Sequence, residues 1–278
     1  MCLKRNIVFS KYHSLLLEKL VIIPTYNELE NIPLILEAIF SLNLNYHVLV
    51  VDDNSPDRTA DKVQTLKVHY PEQLFLLKRE GKLGLGTAYI EGFKWAIKNR
   101  YEFIFEMDAD FSHNPNELEQ LYNACKYENN DVAIGSRYVP GGKIENWPLD
   151  RHIYSKGGAF YTRLITFMPV KDPTAGFICY RKKVLEAINF NEIKFIGYAF
   201  QIEMKFVAWK LGFKLKEVPI VFIDRKTGVS KMSKRILKEG VLGVLMIQLK
   251  SLSGNYRKRI KTVSNHSFSS PVLTESNS

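Results

Sequence analysis

The sequence predicts a single α/β domain with a mostly parallel central sheet flanked by helices. Two observations lead to this expectation. Short apolar runs typical of buried strands alternate with amphipathic segments of helical spacing, and short loops join them. Several of the apolar runs also end in acidic or polar residues, as strands do at the ligand-binding edge of an open parallel sheet. The length of 278 residues would allow one large domain or two small ones.

The first half of the chain contains four predicted strand–helix units. Each apolar run has four or five residues and is followed by a turn and a helix-compatible segment. Asn31, for example, is expected to cap the first helix, because its side chain can accept a hydrogen bond from the first turn. The predicted strands cover residues 20–23, 47–51, 74–77 and 103–107, and the predicted helices end near residues 39, 68, 98 and 128.

The second half of the chain is less regular. A fifth strand is predicted at 132–134, and the Gly/Pro-rich residues 139–148 are expected to form a mobile loop. Residues 213–223 alternate like a strand but change phase, which predicts a β-bulge near Pro219. The sequence divides into an N-terminal extension at 1–19, a main domain at 20–235, a basic and apolar segment at 236–262 and a disordered tail at 263–278.

Composition and charge exclude several classes of protein. The chain is 46% hydrophobic and 24% charged, which is typical of a folded domain with a sizeable core. Three scattered cysteines are too few for a disulfide framework or a zinc site, so a reducing, cytosolic setting is expected. No apolar run approaches the ~20 residues that span a bilayer, and no signal peptide is expected. The formal net charge of +10 favours an anionic partner: nucleic acid, a membrane surface or a phosphorylated substrate.

The fourth apolar run ends in Asp108-Ala109-Asp110, which is the main candidate site. In an extended chain the two aspartates lie on one side and Ala109 on the other. Such carboxylates suit Mg²⁺ or Mn²⁺, which proteins commonly hold with one or two carboxylates and substrate phosphates. The alternative is a solvated turn that begins the next helix. Residues 24–28 and 52–53 are expected at the same edge of the sheet, and this convergence favours the metal site.

Two glycines before the third helix do not indicate a dinucleotide-binding site. The third glycine of a G-x-G-x-x-G motif that starts at Gly84 would fall at Tyr89, and the motif follows the third strand instead of the first. A nicotinamide-dependent oxidoreductase is therefore not expected. Gly84 and Gly86 are better explained by a tight turn and a close approach of the backbone.

Basic residues that follow strands are candidates for binding phosphate. Arg137 comes directly after the fifth strand, at the ligand edge, and Arg225 and Lys231 lie in a cationic loop after the last strand. The alternative for each is an ordinary solvated residue. Nucleic-acid binding is not expected, because neither a known module nor basic residues interleaved with aromatic ones are visible.

Seven separated segments resemble one family in their order and spacing. They are VIIPTYNELENI, VVDDNSPDRTA, KLGLGTAYIEGF, MDADFSHNP, IGSRY, DPTAGFICYRKKVL and DRKTGVSKMS. Together they cover about 20–235 and resemble the dolichol-phosphate (polyprenol-phosphate) mannosyltransferases, which belong to glycosyltransferase family 2 and have a GT-A fold. PTYNE and DDNSPD are shared across the wider family, whereas GLGTAY, DADFSHNP and the R-x₅-K loop are typical of the polyprenol-phosphate sugar transferases.

The resemblance implies a role for each matching residue. Asp108, Asp110 and Arg137 would be catalytic. Some relatives have a glutamine two residues after the second aspartate that helps to hold the metal, whereas this chain has Ser112 there as the third candidate ligand. The residues expected to line the nucleotide pocket are Pro24, Tyr26, Glu28, Val51 and Asp53, those on the sugar diphosphate and metal are Asp108, Ala109 and Asp110, and those on phosphates are Arg137, Arg151, Arg225 and Lys231.

The implied reaction is an inverting transfer of mannose from GDP-mannose to a polyprenol phosphate, with Mg²⁺ or Mn²⁺ as cofactor. Because the acceptor is a phosphate monoester that is already anionic near neutral pH, it can attack without a strong general base. The enzyme then has mainly to position the reactants and neutralise charge. The alternatives are a glucosyl or N-acetylaminosugar transferase that acts on polyprenol phosphate or on a glycan, and, outside enzymes, a basic peripheral membrane-binding module.

The lipid acceptor also implies a place in the cell. The resemblance is to relatives without membrane helices, so a peripheral location on the cytoplasmic face of a membrane is expected, and some such relatives need a small membrane-protein partner. Residues 160–168 and 235–250 are apolar and have basic neighbours. These stretches could lie in the bilayer interface or pack on the domain, and the sequence leaves both alternatives open.

Overall fold

The computed structural model describes residues 17–197, 199–224 and 234–252. These ranges contain nine strands and eight α-helices. The strands are β1 (Lys19–Thr25), β2 (Tyr46–Asp52), β3 (Leu74–Lys78), β4 (Phe103–Glu106), β5 (Val132–Ser136), β6 (Lys143–Glu145), β7 (Ile178–Arg181), β8 (Leu215–Pro219) and β9 (Val221–Ile223). The helices are α1 (Asn31–Phe40), α2 (Thr59–Leu66), α3 (Leu85–Lys98), α4 (Leu118–Lys126), α5 (Leu149–Thr166), α6 (Lys182–Ala187), α7 (Ala199–Lys210) and α8 (Lys234–Leu252).

Seven strands form the central sheet in the order β3-β2-β1-β4-β7-β5-β8. Every neighbouring pair is parallel except the two that involve β7, which runs antiparallel to β4 and β5. β6 and β9 form a separate parallel pair. The predicted fold class, a mostly parallel sheet flanked by helices in a single domain, is confirmed.

Both faces of the sheet are covered, which explains why β1 and β2 have almost continuous apolar sequences. Leu20 and Ile22 pack towards α3 and α7, whereas Val21 and Ile23 pack towards α1 and α4. Helix α3 lies close to the sheet at Gly92, where a Cβ atom would be only 2.7 Å from Cγ2 of Ile22. The alternation of side chains along each strand thus produces one apolar core on each face.

The two glycines before α3 have the predicted purposes. Gly84 has a φ of +103°, which favours glycine, at the start of the helix. A Cβ atom at Gly86 would lie 2.6 Å from the ring of Phe200, so this glycine permits α3 to approach α7. A tight turn and a close approach of the backbone are both confirmed.

Three local predictions were wrong. Asn31 is the first residue of α1, and the residue before it makes no side-chain capping bond. The change of phase near Pro219 marks the point where the chain leaves the central sheet: β8 pairs with β5 and β9 pairs with β6, so no bulge is needed. The predicted mobile loop at 139–148 contains β6, which pairs with β9, a segment far away in the sequence.

Helices α5 and α8 lie side by side at the surface. The hydroxyl of Tyr161 on α5 donates to the backbone oxygen of Val241 on α8, at 3.1 Å. Val244 and Ile247 of α8 are buried in the core, so one face of this helix packs on the domain. None of the helices in the described ranges is long and apolar enough to cross a membrane. Helix α8 begins at Lys234 and therefore includes residue 235, where one of the predicted divisions falls. The divisions of the chain into 1–19, 20–235, 236–262 and 263–278 stay predictions.

Candidate active site

A cleft of about 330 Å³ opens at the carboxyl ends of β4 and β5. Asp108 and Asp110 reach it from the segment after β4, and Arg137 reaches it from the segment after β5. Because β7 is antiparallel, the turn before it, which contains Thr174 and Gly176, opens on the same edge. Residues of α5, α7 and α8 and of the β9 segment also line it. The cleft therefore lies where open α/β sheets bind their ligands.

The two aspartates lie in a bend that begins after β4. The hydroxyl of Tyr89 is 3.5 Å from Oδ1 of Asp108, and the backbone N–H of Ser112 donates to Oδ1 of Asp110 at 3.1 Å. Both aspartates line the cleft, while Ala109 is buried in the core. The predicted placement of the two carboxylates on one side and Ala109 on the other is confirmed.

The donor set in this bend fits a divalent cation. Hard oxygen ligands suit Mg²⁺ and Mn²⁺, and two carboxylates can be completed by phosphate oxygens and water. Ser112 is buried and lines the cleft beside the aspartates, but its role as a ligand stays a prediction. The part of the chain that the structure describes has no group of three or more carboxylate, histidine or cysteine side chains that could hold a metal alone. A substrate diphosphate would have to supply part of the coordination.

His113 is a buried neighbour of the aspartates for which the sequence predicted no role. Its Nδ1 accepts the backbone N–H of Asp108 at 3.2 Å, and its ring stacks on Phe177 at 5.0 Å between centroids. Burial lowers the pKa of His113 to about 4, so the ring is neutral at pH 7 with its proton on Nε2. Its place inside the MDADFSHNP segment was the signal that could have found it.

Arg137 forms a buried bidentate ion pair with Asp172. Its Nε donates to Oδ2 at 2.7 Å, its Nη2 donates to Oδ1 at 2.6 Å, and its backbone N–H adds a third bond at 3.0 Å. Burial works against the ionised form of Asp172, but the charge and hydrogen bonds of Arg137 outweigh it and hold the pKa of the carboxyl below its usual value. The pair fixes the guanidinium at the edge of the cleft. No sequence pattern connects these two residues.

Arg151 enters the same cleft from α5. Its Nη1 donates to Oδ2 of Asp224 at 2.7 Å, and its guanidinium lies over the ring of Trp147 at 4.1 Å from the centroid. The indole Nε1 of Trp147 is buried without a hydrogen-bond partner among the described residues. The structure brings both Arg137 and Arg151 to the cleft, where Ser155 also lies.

The five residues predicted for the nucleotide pocket form a second group at the same edge of the sheet. They follow or end β1 and β2, where Pro24 and Val51 are paired in register. Asp53 forms an ion pair of 2.9 Å with Arg79. The Nζ atom of Lys82 lies over the ring of Tyr26, 4.0 Å from its centroid. These residues and Glu28 do not line the cleft that contains the aspartates. Their nucleotide role stays a prediction, and Arg225 and Lys231 lie outside the described residues.

A chain of buried charges lies behind the cleft. Glu106, the last residue of β4, is fully buried and accepts a hydrogen bond from Gln201 of α7. Burial raises the pKa of Glu106 to about 8 and lowers that of Lys205 to about 8, and the attraction between the two charges opposes both shifts. The ammonium of Lys205 donates to the backbone oxygen of Ala175 at 2.7 Å. Lys205 therefore ties α7 to the turn that lines the cleft.

Comparison with known proteins identifies the family. A family model described as glycosyl transferase family 2 matches residues 20–188. The chain belongs to glycosyltransferase family 2. The enzyme is 44% identical over 225 residues to the polyprenol monophosphomannose synthase of Mycolicibacterium smegmatis, a match that covers 81% of this chain and 84% of that protein. The predicted resemblance to the polyprenol-phosphate mannosyltransferases is confirmed.

Two further relatives agree with this assignment. The undecaprenyl-phosphate mannosyltransferase of Micrococcus luteus is 44% identical over 225 residues, 81% of this chain and 91% of that protein. The dolichol-phosphate mannosyltransferase of Pyrococcus furiosus is 41% identical over 227 residues, 79% of this chain and 60% of that longer protein.

Solved structures show the same fold at much lower identity. Glucosyl-3-phosphoglycerate synthase of Mycobacterium tuberculosis in complex with phosphoglyceric acid has a TM-score of 0.61 at 15% identity, covering 83% of this chain and 79% of that one. The same protein in complex with Mn²⁺, UDP-glucose and phosphoglyceric acid has a TM-score of 0.61 at 14% identity, with the same coverage. Together with the family match, this likeness confirms the GT-A fold of the glycosyltransferase.

Proposed function

We propose that this enzyme transfers mannose from GDP-mannose to the phosphate of a polyprenol, with inversion at the anomeric carbon. The observation that carries the proposal is the cleft, in which two carboxylates suited to a metal-bound diphosphate and two arginines suited to a phosphate monoester line one space. The names of the three relatives, which refer to mannose and to polyprenol, undecaprenyl phosphate or dolichol phosphate, support the sugar and the acceptor.

Two of the side chains would act on the donor, and two others would act on the acceptor. Asp108 and Asp110 would hold Mg²⁺ or Mn²⁺, which, when bound, would neutralise the charge that develops on the departing diphosphate. Arg137 and Arg151 would orient the acceptor phosphate, and their ion pairs with buried or half-buried carboxylates keep both guanidinium groups in place before the substrate arrives. The acceptor phosphate is itself the nucleophile, so the site needs no residue that removes a proton from it.

The remaining sequence predictions become part of this proposal. The nucleotide would bind at the carboxyl ends of β1 and β2, next to the cleft in the sheet. Ser112 would be the third protein oxygen near the metal, and the loop with Arg225 and Lys231 would close over the nucleotide or the acceptor phosphate. The residues proposed for the nucleotide are Pro24, Tyr26, Glu28, Val51 and Asp53, with Ala109 and the aspartates on the sugar diphosphate.

A donor screen tests the proposal. Purified enzyme is given polyprenol phosphate, Mg²⁺ or Mn²⁺, and in turn GDP-mannose, UDP-glucose and UDP-N-acetylglucosamine, and the lipid-linked sugar is measured. We expect transfer from GDP-mannose and a β-mannosyl phosphate product by NMR. Asp110→Ala should lower the rate by about 100–1,000-fold, because charge stabilisation of the leaving group is lost.

The matched control is Asp61→Ala, which removes an exposed aspartate from α2. It should leave the rate unchanged. Near-normal activity of Asp110→Ala would contradict the metal role of the aspartates, and a preference for either UDP-sugar would contradict the assignment of mannose.

We also propose that α5 and α8 rest on the membrane that contains the acceptor. Their outer faces carry large exposed apolar side chains, and the exposed Lys156 and Arg163 of α5 could contact anionic headgroups. The membrane would be a cytoplasmic face, as the sequence resemblance implies. The most exposed apolar side chains are those of Leu149, Ile153, Phe160 and Leu164 on α5, and of Leu242, Met246, Leu249 and Leu252 on α8.

Co-sedimentation with vesicles tests the membrane surface. Point substitutions are preferable to deletion of α8, because deletion would also remove Val244 and Ile247 from the core. The double variant Phe160→Ser, Leu164→Ser should bind anionic vesicles at least tenfold more weakly, since each buried side chain contributes about 1.5–3 kcal/mol. The control Val68→Ser, at an exposed apolar position away from α5 and α8, should bind normally. Equal binding by both variants would contradict the proposal. A need for added membrane protein would indicate the small partner.

A further inference from the structure

His113 has one ring nitrogen that no described residue binds. Its Nδ1 accepts the backbone N–H of Asp108 at 3.2 Å, so the proton of the neutral ring is on Nε2. Nε2 has no hydrogen-bond partner in the described part of the chain, yet this atom is not sealed from the solvent. His113 is only 3% exposed and lines the cleft. The N–H at Nε2 is therefore accessible from the cleft.

The packing around the ring of His113 holds this N–H beside open space. One face of the ring stacks on Phe177 at 5.0 Å between centroids, and the ring of Phe222 lies edge-on at 5.8 Å. Cε1, which is bonded to Nε2, lies 3.7 Å from the point where Gly176 would carry a Cβ atom. Because Gly176 also lines the cleft, the absence of a side chain there leaves room for a ligand atom next to the N–H.

The ring lies between the two groups of side chains that the proposed function assigns to donor and acceptor. Its Nδ1 is bonded to Asp108, which is proposed to hold the metal on the departing diphosphate. On the other side it shares Phe222 with Arg137, whose guanidinium carbon is 5.3 Å from the centroid of that aromatic ring. Arg137 is proposed to hold the acceptor phosphate. An N–H in this position can therefore reach an oxygen of the acceptor phosphate as it approaches the sugar.

The chemistry of a neutral imidazole limits what Nε2 can bind. Its proton prevents Nε2 from being a metal ligand, because a ligating nitrogen needs a free lone pair. An N–H can donate to an anionic oxygen, and such a bond is stronger than one between neutral groups. We propose that Nε2 of His113 donates a hydrogen bond to an oxygen of the acceptor phosphate and, together with Arg137, orients this nucleophile. This inference rests on the proposed function, because it takes polyprenol phosphate as the acceptor.

Two substitutions separate the roles of the two ring nitrogens. In His113→Asn the side-chain oxygen can replace Nδ1 as the acceptor for Asp108, but no donor reaches the position of Nε2. In His113→Gln the longer amide can place an N–H there. We expect His113→Asn to lower kcat/KM for polyprenol phosphate by about 10–100-fold, the value of one hydrogen bond to a charged group. His113→Gln should recover at least about threefold of this loss, since its N–H replaces that of the imidazole.

The kinetic test has two controls. The affinity for GDP, measured by calorimetry with Mg²⁺, should be the same in wild-type enzyme and His113→Asn, because the contact is with the acceptor. The matched substitution His69→Asn changes an exposed histidine and should leave kcat/KM unchanged. Wild-type kcat/KM in His113→Asn, equal losses in the asparagine and glutamine variants, or a weaker affinity for GDP would each overturn the inference.

Nitrogen-15 NMR of the imidazole groups tests the contact without a change to the site. The chain has six histidines, and comparison with His113→Asn identifies the signals of His113. The wild-type ring should carry its proton on Nε2, and a short-chain prenyl phosphate added with GDP and Mg²⁺ should shift that proton downfield. The prenyl alcohol of the same length should not. A proton on Nδ1, no shift, or the same shift with the alcohol would overturn the inference.

Failure of the proposed function would look different from failure of this inference. If the proposed function fails, the wild-type enzyme itself transfers no mannose from GDP-mannose to polyprenol phosphate. If wild-type enzyme transfers mannose and His113→Asn does so equally well, only the further inference fails.

Discussion

Replacing Asp172 with asparagine should destabilise the protein more than any single substitution of a surface charge. Asp172 is fully buried and accepts three hydrogen bonds from Arg137, whose side chain is itself only 8% exposed. The change removes the negative charge and replaces one acceptor oxygen with an amide donor. Leaving a buried charge without its partner costs about 3–5 kcal/mol. Because the asparagine keeps one oxygen that can still accept a hydrogen bond from Arg137, we expect a loss near the lower end of this range, about 3 kcal/mol.

Urea unfolding followed by tryptophan fluorescence measures this loss. With a slope of about 3 kcal/mol per molar urea, the upper end of the usual range, the midpoint should fall by about 1 M. Glu91→Gln is the control, because it breaks an exposed pair with Lys94, and such pairs contribute about 0–1 kcal/mol. In the double variant Arg137→Gln, Asp172→Asn the loss should be smaller than the sum of the single losses, since no charge is left unpaired.

The effect of pH provides a second check on the same pair. The pKa of Asp172 in the folded protein is below its value in the unfolded chain, so the carboxylate stabilises the fold above about pH 4, its unfolded pKa, and this contribution is lost as the pH falls through the lower, folded pKa. The difference between wild type and Asp172→Asn should therefore shrink in acid. A midpoint shift no larger than that of Glu91→Gln, or a difference that does not shrink below pH 4, would refute the reasoning.

Four other substitutions test separate parts of the fold and site. Gly92→Ala should lower the free energy of unfolding by about 1–3 kcal/mol, because the new methyl group collides with Ile22, whereas Gly157→Ala, in open space on α5, should raise it by about 0.5–1 kcal/mol; thermal denaturation measures both. Burial lowers the pKa of His47 below its unfolded value of about 6.5, so as the pH falls through that value the unfolded chain gains a proton more readily than the folded chain, and stability falls. His47→Gln should reduce this dependence in urea titrations at several pH values; an unaltered slope would contradict it. Trp147→Ala removes the aromatic face under the guanidinium of Arg151, a contact of about 1 kcal/mol, so kcat/KM for polyprenol phosphate should fall about fivefold with KM for GDP-mannose constant. A rise in the KM for GDP-mannose would place the indole at the donor instead.

The ion pairs of Arg137 and Arg151 add one feature to the proposed phosphate site: both guanidinium groups are held in place by carboxylates. An arginine that binds only phosphate would be free to move before the substrate arrives, whereas Arg137 and Arg151 are each held by a carboxylate. Such preorganisation lowers the cost of ordering the side chain on binding. The two carboxylates also reduce the net positive charge of the cleft. The proposed phosphate site should therefore prefer an anion that fits this arrangement to other anions that reach the cleft.

The sequence by itself determined the fold class and the position of the aspartates. Apolar runs with alternating helices require a covered, mostly parallel sheet, and Asp108 and Asp110 lie two and four residues after the end of β4, so the sequence alone places them at the ligand-binding edge. The motifs identified the family for the same reason, because each is a short continuous segment. Predictions failed where pairing partners are distant in sequence, as at Pro219, where the chain moves from one sheet to another.

Only the tertiary structure decided what surrounds the aspartates. Arg137 and Asp172 are 35 residues apart, and Glu106 and Gln201 are 95 residues apart. A buried polar group must find its partner in space, and the sequence carries no periodic signal for contacts between separate elements. The antiparallel β7 brings the turn with Gly176 to the ligand edge, and α7 brings Gln201 to the same cleft. Local patterns thus predict where the two aspartates lie. The packing of elements that are distant in sequence determines which other groups line the cleft.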